Sequence, residues 1–464
     1  MFLDLDKHNQ SSLAVIDDSG REITYGEICS FSEKFYSFIN RKTLIFILSE
    51  NTIGSLAGYV ASLSGKIVPL LVSRNTDSEL LEKLIDLYKP EYLWVPEAIE
   101  SDFQYQPVFN SFAYTLLKTG LETYSLYNEL SLLLPTSGST GSPKLVRHSY
   151  TNIEQNARNV ASFFELKPAE RPIAILPMHY TMGLSVITSH LYAGSTILLA
   201  KGNLTEKEFW QFVRENRATS FTGVPFSFEI LYRLRFFRMN LPDLTLLTQG
   251  GGKLSTELFH EFADFAEKTG KKFIATYGQT EGSARMAYLP ADMATTKTGS
   301  IGKAIPNGEL YLIDDNGNTI TETEASGQLV YRGLNVTLGY ALCGEDLIKG
   351  DENNGVLLTG DIAKRDADGY YYIIGRMKRF LKLYGLRISL DEIEQMVKSA
   401  FNLDCLCTGN DDQMRILITE ADKAEAVIDY IVEKTGLFQK AIEITIVNEI
   451  PKNEAGKTIY TNNK

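Results

Sequence analysis

Between about residues 22 and 280 the chain alternates short β-branched or apolar runs with amphipathic segments of helical length, and that alternation leaves few architectures open. TLIFIL (43–48), KIVPLL (66–71), RPIAIL (171–176), STILLA (195–200), LTLLTQ (244–249) and KKFIAT (271–276) read as buried strands. Between them, TEKEFWQFVREN (205–216) and STELFHEFADFAEK (255–268) space apolar residues three and four apart, as one face of a helix requires. Repeated strand–helix units imply parallel sheets covered by helices on both faces.

After about residue 298 the texture changes to closely spaced short strands with Gly and Asp-Asn turns: GELYLIDDNGNTI, SGQLVYRG and DGYYYIIGR. This reads as a smaller β-rich unit. From Lys378 onward βα patterns return, with DEIEQMVKSAF and KAEAVIDYIVEKTG as helices, enough for a small α+β domain. A length of 464 residues fits two or three packed units of this kind.

Charge and composition exclude several functions. A formal charge of −12 argues against a nucleic-acid partner, which calls for a basic face. Hydrophobic residues make up 44% and charged residues 22%, a globular composition, and no apolar run approaches the roughly 20 residues of a membrane span. The first ten residues, MFLDLDKHNQ, lack a secretory pattern, so the expected location is cytoplasmic. Cys29, Cys343, Cys405 and Cys407 are too sparse for a disulfide framework or zinc site, and Cys405 and Cys407 flank Leu406 in an apolar run that reads as a buried strand.

LLLPTSGSTGSPK (132–144) breaks from an apolar strand into a loop of Gly, Ser and Thr that ends in Lys144. Gly138 and Gly141 permit backbone conformations in which successive N–H groups point at anionic oxygens. Thr136, Ser137, Ser139 and Thr140 add hydroxyls, and Lys144 adds charge. The spacing is not G-x-x-x-x-G-K-[ST], so kinase and GTPase readings lose support; taken alone, the segment also reads as a flexible surface loop. Further on, TYGQTEG (276–282) follows a predicted strand, at the sheet edge where ligands of α/β folds collect. LLTGD (357–361), GRMKRFLKLYGLRI (375–388) and PKNEAGKTIY (451–460) follow, each weak alone. Tyr277 alone reads as a core aromatic, Asp361 as a turn residue, and Lys378 and Lys457 as solvated surface lysines.

Together and in this order, these motifs resemble the adenylate-forming superfamily: acyl-CoA synthetases, aryl-acid ligases, stand-alone adenylation domains and beetle luciferases. The resemblance runs from ITYGEI (23–28) to Lys457. It implies an α/β fold with a large N-terminal domain (1–377) of stacked, mostly parallel sheets and helices to about 297, and a β-rich subdomain at about 298–377. A small mobile α+β C-terminal domain (378–464) would swing on a hinge at Lys378. The implied chemistry is attack of a carboxylate on the α-phosphorus of ATP, giving acyl-AMP and pyrophosphate, then acyl transfer to a thiol. Carboxylates are poor nucleophiles and the leaving group is highly charged, so such a site mainly positions groups and neutralises charge.

On that resemblance the 136–144 loop holds the β and γ phosphates. Tyr277 and Gly278 face adenine, Thr280 contacts the α-phosphate, and Glu281 holds Mg²⁺. Asp361 accepts the ribose hydroxyls, Arg376 reinforces them, and Lys457 bridges the substrate carboxylate and the α-phosphate. Gly385 and Arg387 belong to the segment that lines the pantetheine tunnel after the swing. Gly250, Gly251 and Gly252 read equally as a wall beside adenine and acyl group or as a strand-to-helix turn.

His179 falls at the family's acyl-pocket gate. Thr181 stands where amino-acid adenylation domains place an aspartate for the α-amine, which argues for an acid without that amine, aliphatic or aromatic. Lys378 and Arg379 occupy positions where acidic residues are common. The expected protein is an ATP- and Mg²⁺-dependent acid–CoA ligase acting on a small-molecule carboxylic acid, fatty or aryl. The alternatives are a stand-alone enzyme loading the phosphopantetheine of a separate carrier protein, and a non-catalytic nucleotide-binding descendant. With no carrier-type segment in the sequence, the acyl acceptor comes from outside it.

Overall fold

The computed structural model of the chain describes residues 1–135, 144–383, 386–410, 413–452 and 458–459, without the side chains of residues 378, 380, 382, 386 and 387. Three large sheets form its body. The first has, among the described residues, nine strands in the order Lys303–Ala304, Ala287–Tyr288, Lys272–Tyr277, Leu246–Gln249, Ser220–Gly223, Pro172–Ala174, Ile197–Leu199, Leu13–Asp17 and Glu22–Thr24. Its centre is parallel and both edges are antiparallel. The second is built the same way around parallel strands Leu130–Pro135, Val68–Ser73, Leu44–Ser49 and Tyr92–Pro96.

Two helices, Ile53–Ser64 and Thr181–Tyr192, lie between these sheets, each buried along nearly its whole length. They share one apolar core with Ile45, Ile47 and Leu71 of the second sheet and Val15, Ile197 and Leu199 of the first. Such helices need apolar or small residues all round, and IGSLAGYVASLS supplies them.

The third sheet is antiparallel: Thr319–Ile320, Gly308–Ile313, Ser326–Gly333, Val356–Arg365 and Tyr371–Arg376. Two short strands of the stretch read as β-rich leave it and extend the other sheets, Lys303–Ala304 pairing with Ala287–Tyr288, and Gly339–Ala341 with Leu145–Arg147. Arg147 holds the second excursion in place. Fully buried, it donates from Nε to Tyr340 O, from Nη1 to Lys349 O and Gly350 O, and from Nη2 to Leu338 O and the Glu352 carboxylate.

Beyond the 3₁₀ turn Met377–Arg379 come a hairpin (Phe380–Leu383, Leu386–Ser389), a three-stranded sheet and helices Leu390–Phe401 and Ala424–Thr435, with a separate apolar core. Cys405 and Cys407 lie on the strand Cys405–Asn410, as read from sequence. This part touches the helix Pro225–Arg233 through Lys398 and Glu229, 2.6 Å apart. No helix among the described residues is long and apolar enough to cross a membrane.

Candidate functional site

The strand Lys272–Tyr277 ends at the carboxyl edge of the first sheet and turns at once into the 3₁₀ segment Thr280–Gly282. Gly278 makes that turn possible: a Cβ there would lie 1.5 Å from the Ala284 carbonyl oxygen. The next three side chains therefore leave the sheet toward the third sheet, the helix Thr181–Tyr192 and the strand Gly339–Ala341.

Toward the third sheet, Tyr277 meets Asp361. The Tyr277 hydroxyl donates to Asp361 Oδ2. Gln279 Nε2 donates to the same oxygen (3.1 Å) and to the Thr359 carbonyl (2.8 Å). Arg376, directly opposite Asp361 across the antiparallel ladder, places Nε 3.4 Å from Oδ1. Asp361 is buried and Arg376 exposed. Burial pushes the Asp361 carboxyl above its usual range, against the pull of Arg376 and the donated hydrogen bonds. Burial and the neighbouring Asp361 raise the Tyr277 phenol well above its ordinary value, so it stays a donor.

Thr280 accepts a hydrogen bond from the Thr181 hydroxyl at 2.9 Å. Its own hydroxyl proton is then left to be donated elsewhere. Glu281 Oε1 accepts from the Tyr340 hydroxyl at 2.7 Å, and the Lys144 ammonium lies 3.2 Å from the centre of the same Tyr340 ring. One aromatic side chain thus joins the cation that ends the Gly-Ser-Thr loop to the carboxylate of the TYGQTEG turn. Burial and Glu281 raise the Tyr340 pKa, keeping the phenol protonated.

His179 lies at the mouth of the Thr181–Tyr192 helix, with Nδ1 3.4 Å from Ser49 Oγ at the end of a strand of the second sheet. Gly250 is packed so tightly that a Cβ would meet Thr276 Oγ1 at 2.6 Å and Met182 Sδ at 2.8 Å. Gly251 has φ +75°, and Gly252 accepts from Gln249 Nε2. Lys378 sits in the turn Met377–Arg379. Arg379 is held inside the C-terminal part, by Asp391 at 2.6 Å and Glu394 at 2.5 Å. Thr136, Ser137, Gly138, Ser139, Thr140, Gly141, Gly385 and Lys457 lie outside the described residues.

Sequence reading missed Gln279 and Tyr340. Gln279 sat inside a motif already singled out. Nothing local marks Tyr340.

The AMP-binding enzyme family matches residues 5–341, and the chain belongs to that family. A probable CoA ligase of Humulus lupulus is 27% identical over 346 residues, covering 71% of this chain and 65% of that protein. The oxalate–CoA ligase of Arabidopsis thaliana is 26% identical over 342 residues, with 70% and 65% covered. The chain thus spans about 65% of the length of these curated relatives. Among solved structures, an o-succinylbenzoate CoA synthetase from Bacillus subtilis, in complex with its acyl-adenylate intermediate, superimposes with a TM-score of 0.78. The match covers 96% of this chain and 94% of that one at 19% identity, a likeness of fold.

Proposed function

We propose that the chain is a carboxylic acid–CoA ligase that forms an acyl-adenylate from ATP before passing the acyl group to the CoA thiol. The observation that carries this reading is the convergence of Tyr277, Asp361 and Arg376 on one side of the Thr280–Glu281 turn, and of Lys144 and Tyr340 on the other. Membership of the AMP-binding family and the CoA ligase names of the relatives support it.

In this reading Asp361 accepts the ribose hydroxyls, with Arg376 beside it, and the Tyr277 ring packs on adenine. Thr280, its oxygen already occupied by the Thr181 donor, gives its proton to an α-phosphate oxygen. Lys144 and the 136–141 loop take the β and γ phosphates. Mg²⁺ fits a site of one protein carboxylate: Glu281 is held in place by Tyr340, and among the described residues no cluster of three His, Cys, Asp or Glu could enclose a metal. When bound, the ion neutralises charge on the triphosphate. Lys457 would supply the last cation to the reacting carboxylate, from a C-terminal domain (378–464) turning about Lys378 against an N-terminal domain (1–377).

Pyrophosphate release from ATP, measured over fatty, aryl, hydroxy and amino acids with and without CoA, tests the proposal. CoA-stimulated release with simple acids is the expected result. Acid-dependent release indifferent to CoA would make the protein a carrier-loading enzyme, and nucleotide binding without acid-dependent release would overturn an enzymatic reading.

A further inference from the structure

Among the described residues two arginines are almost fully buried, and they are treated in opposite ways. Every guanidinium nitrogen of Arg147 donates to a protein acceptor, as a structural arginine requires. Arg285, 1% exposed, donates among the described residues only from Nη1, to Ser185 Oγ at 2.7 Å; its Nε and Nη2 meet no acceptor among them. The Phe164 ring centre lies 5.3 Å from the guanidinium. The titratable groups that face it are Tyr180 and His190. Both are uncharged at neutral pH, since burial raises the phenol and lowers the imidazole to about 4. Burial lowers the Arg285 pKa to about 10, which still leaves it charged. Among the described residues, then, it is a buried cation without a counter-ion, an arrangement that costs several kcal/mol unless an anion arrives.

The position of Arg285 says where that anion comes from. It stands four residues after Glu281, and its partner Ser185 lies one turn into the helix that begins with Thr181, the donor to Thr280. Ser185 also lines a small cavity of about 20 Å³, between the polar Thr181, Thr188, Asn156, Ser283 and His148 and the apolar Leu132, Leu134, Ile153 and Leu184. We propose that Arg285 receives a second anionic group of the acid substrate, so that the chain activates a short carboxylic acid bearing another carboxylate or a sulfonate. Nε and Nη2 present two donors on one edge of the guanidinium, the geometry that binds such a group bidentately. The inference rests on the adenylating reading above and narrows its substrate class.

The test measures kcat/KM for pyrophosphate release with malonate, succinate, glutarate and sulfoacetate against propionate, butyrate and pentanoate. At least one dianionic acid should exceed its monoanionic counterpart of equal chain length by about 100-fold, because an unmet buried donor penalises the analogue that lacks the acceptor. In Arg285→Met that ratio should fall by about 100-fold, and Arg285→Lys should restore part of it. Preference for monoanionic acids in the wild-type protein, or a ratio unchanged in Arg285→Met, overturns the inference and leaves adenylation standing. Silence with every acid overturns both. The wild-type comparison decides even if a variant fails to fold.

Discussion

Replacing Tyr340 by phenylalanine removes one oxygen and leaves the ring beneath Lys144. In the native protein that oxygen donates to Glu281 Oε1 at 2.7 Å, and burial together with Glu281 keeps the phenol protonated. A hydrogen bond to a charged group contributes about 1.5–3 kcal/mol, and 1.36 kcal/mol is tenfold in rate, so kcat/KM should fall by about 10- to 150-fold. Because the lost contact orients the carboxylate assigned to Mg²⁺, the fall should appear as a raised half-saturating Mg²⁺ concentration in pyrophosphate-release assays. KM for the acid should stay within about twofold. Tyr340→Leu removes the cation–π contact with Lys144 as well, 3.2 Å from ring centre to ammonium, and should weaken ATP binding further. Unchanged Mg²⁺ dependence in Tyr340→Phe would refute the claim that this hydroxyl positions Glu281.

Gly278→Ala places a methyl 1.5 Å from the Ala284 carbonyl oxygen, so the turn must distort; a loss above about 3 kcal/mol is expected in urea unfolding, and a near-native midpoint would show that the turn yields cheaply. His148 and His190 are held at about 4 by burial, below the ordinary 6.5, so the unfolded chain takes up protons that the folded one refuses. Stability is therefore full above pH 6.5 and falls as pH drops toward 4, by about 2 kcal/mol per histidine at pH 5. His148→Leu should flatten the decline in melting temperature between pH 7 and 5, and an unaltered slope would remove His148 from the account. Lys457→Ala should abolish most adenylation yet spare thioester formation from supplied acyl-adenylate. Equal loss of both steps would contradict that division.

The central strands were legible because burial on both faces makes them continuous apolar runs: TLIFIL corresponds to Leu44–Ser49 and KKFIAT to Lys272–Tyr277. RPIAIL was read too long. Only Pro172–Ala174 pairs, while the apolar pattern continues into Ile175 and Leu176, which pack without a ladder. Tyr277, Thr280, Asp361 and Arg376 could be picked out because short motifs carry them, and the register Asp361 to Arg376 follows once LLTGD and YYIIGR form one hairpin. Tyr340 and Arg285 could not. Each acts across the tertiary structure, Tyr340 on Lys144 and Arg285 on Ser185, and the Gly339–Ala341 strand is held in its place by its ladder with Leu145–Arg147 and by the bonds the Arg147 side chain makes around it. No period or propensity encodes such a meeting.

The pairing of Asp361 with Arg376 is the last rung of its ladder before the chain leaves the sheet at Met377. Ladders fray from their ends, so the rung assigned to grip the sugar is also the one most ready to open. A nucleotide seated there, as proposed, would act as a clasp on the exit of the chain, and its departure would slacken the root of everything that follows. Amide exchange at residues 374–377 should accordingly slow when ATP is added, reporting occupancy of the pocket at the root of the C-terminal part.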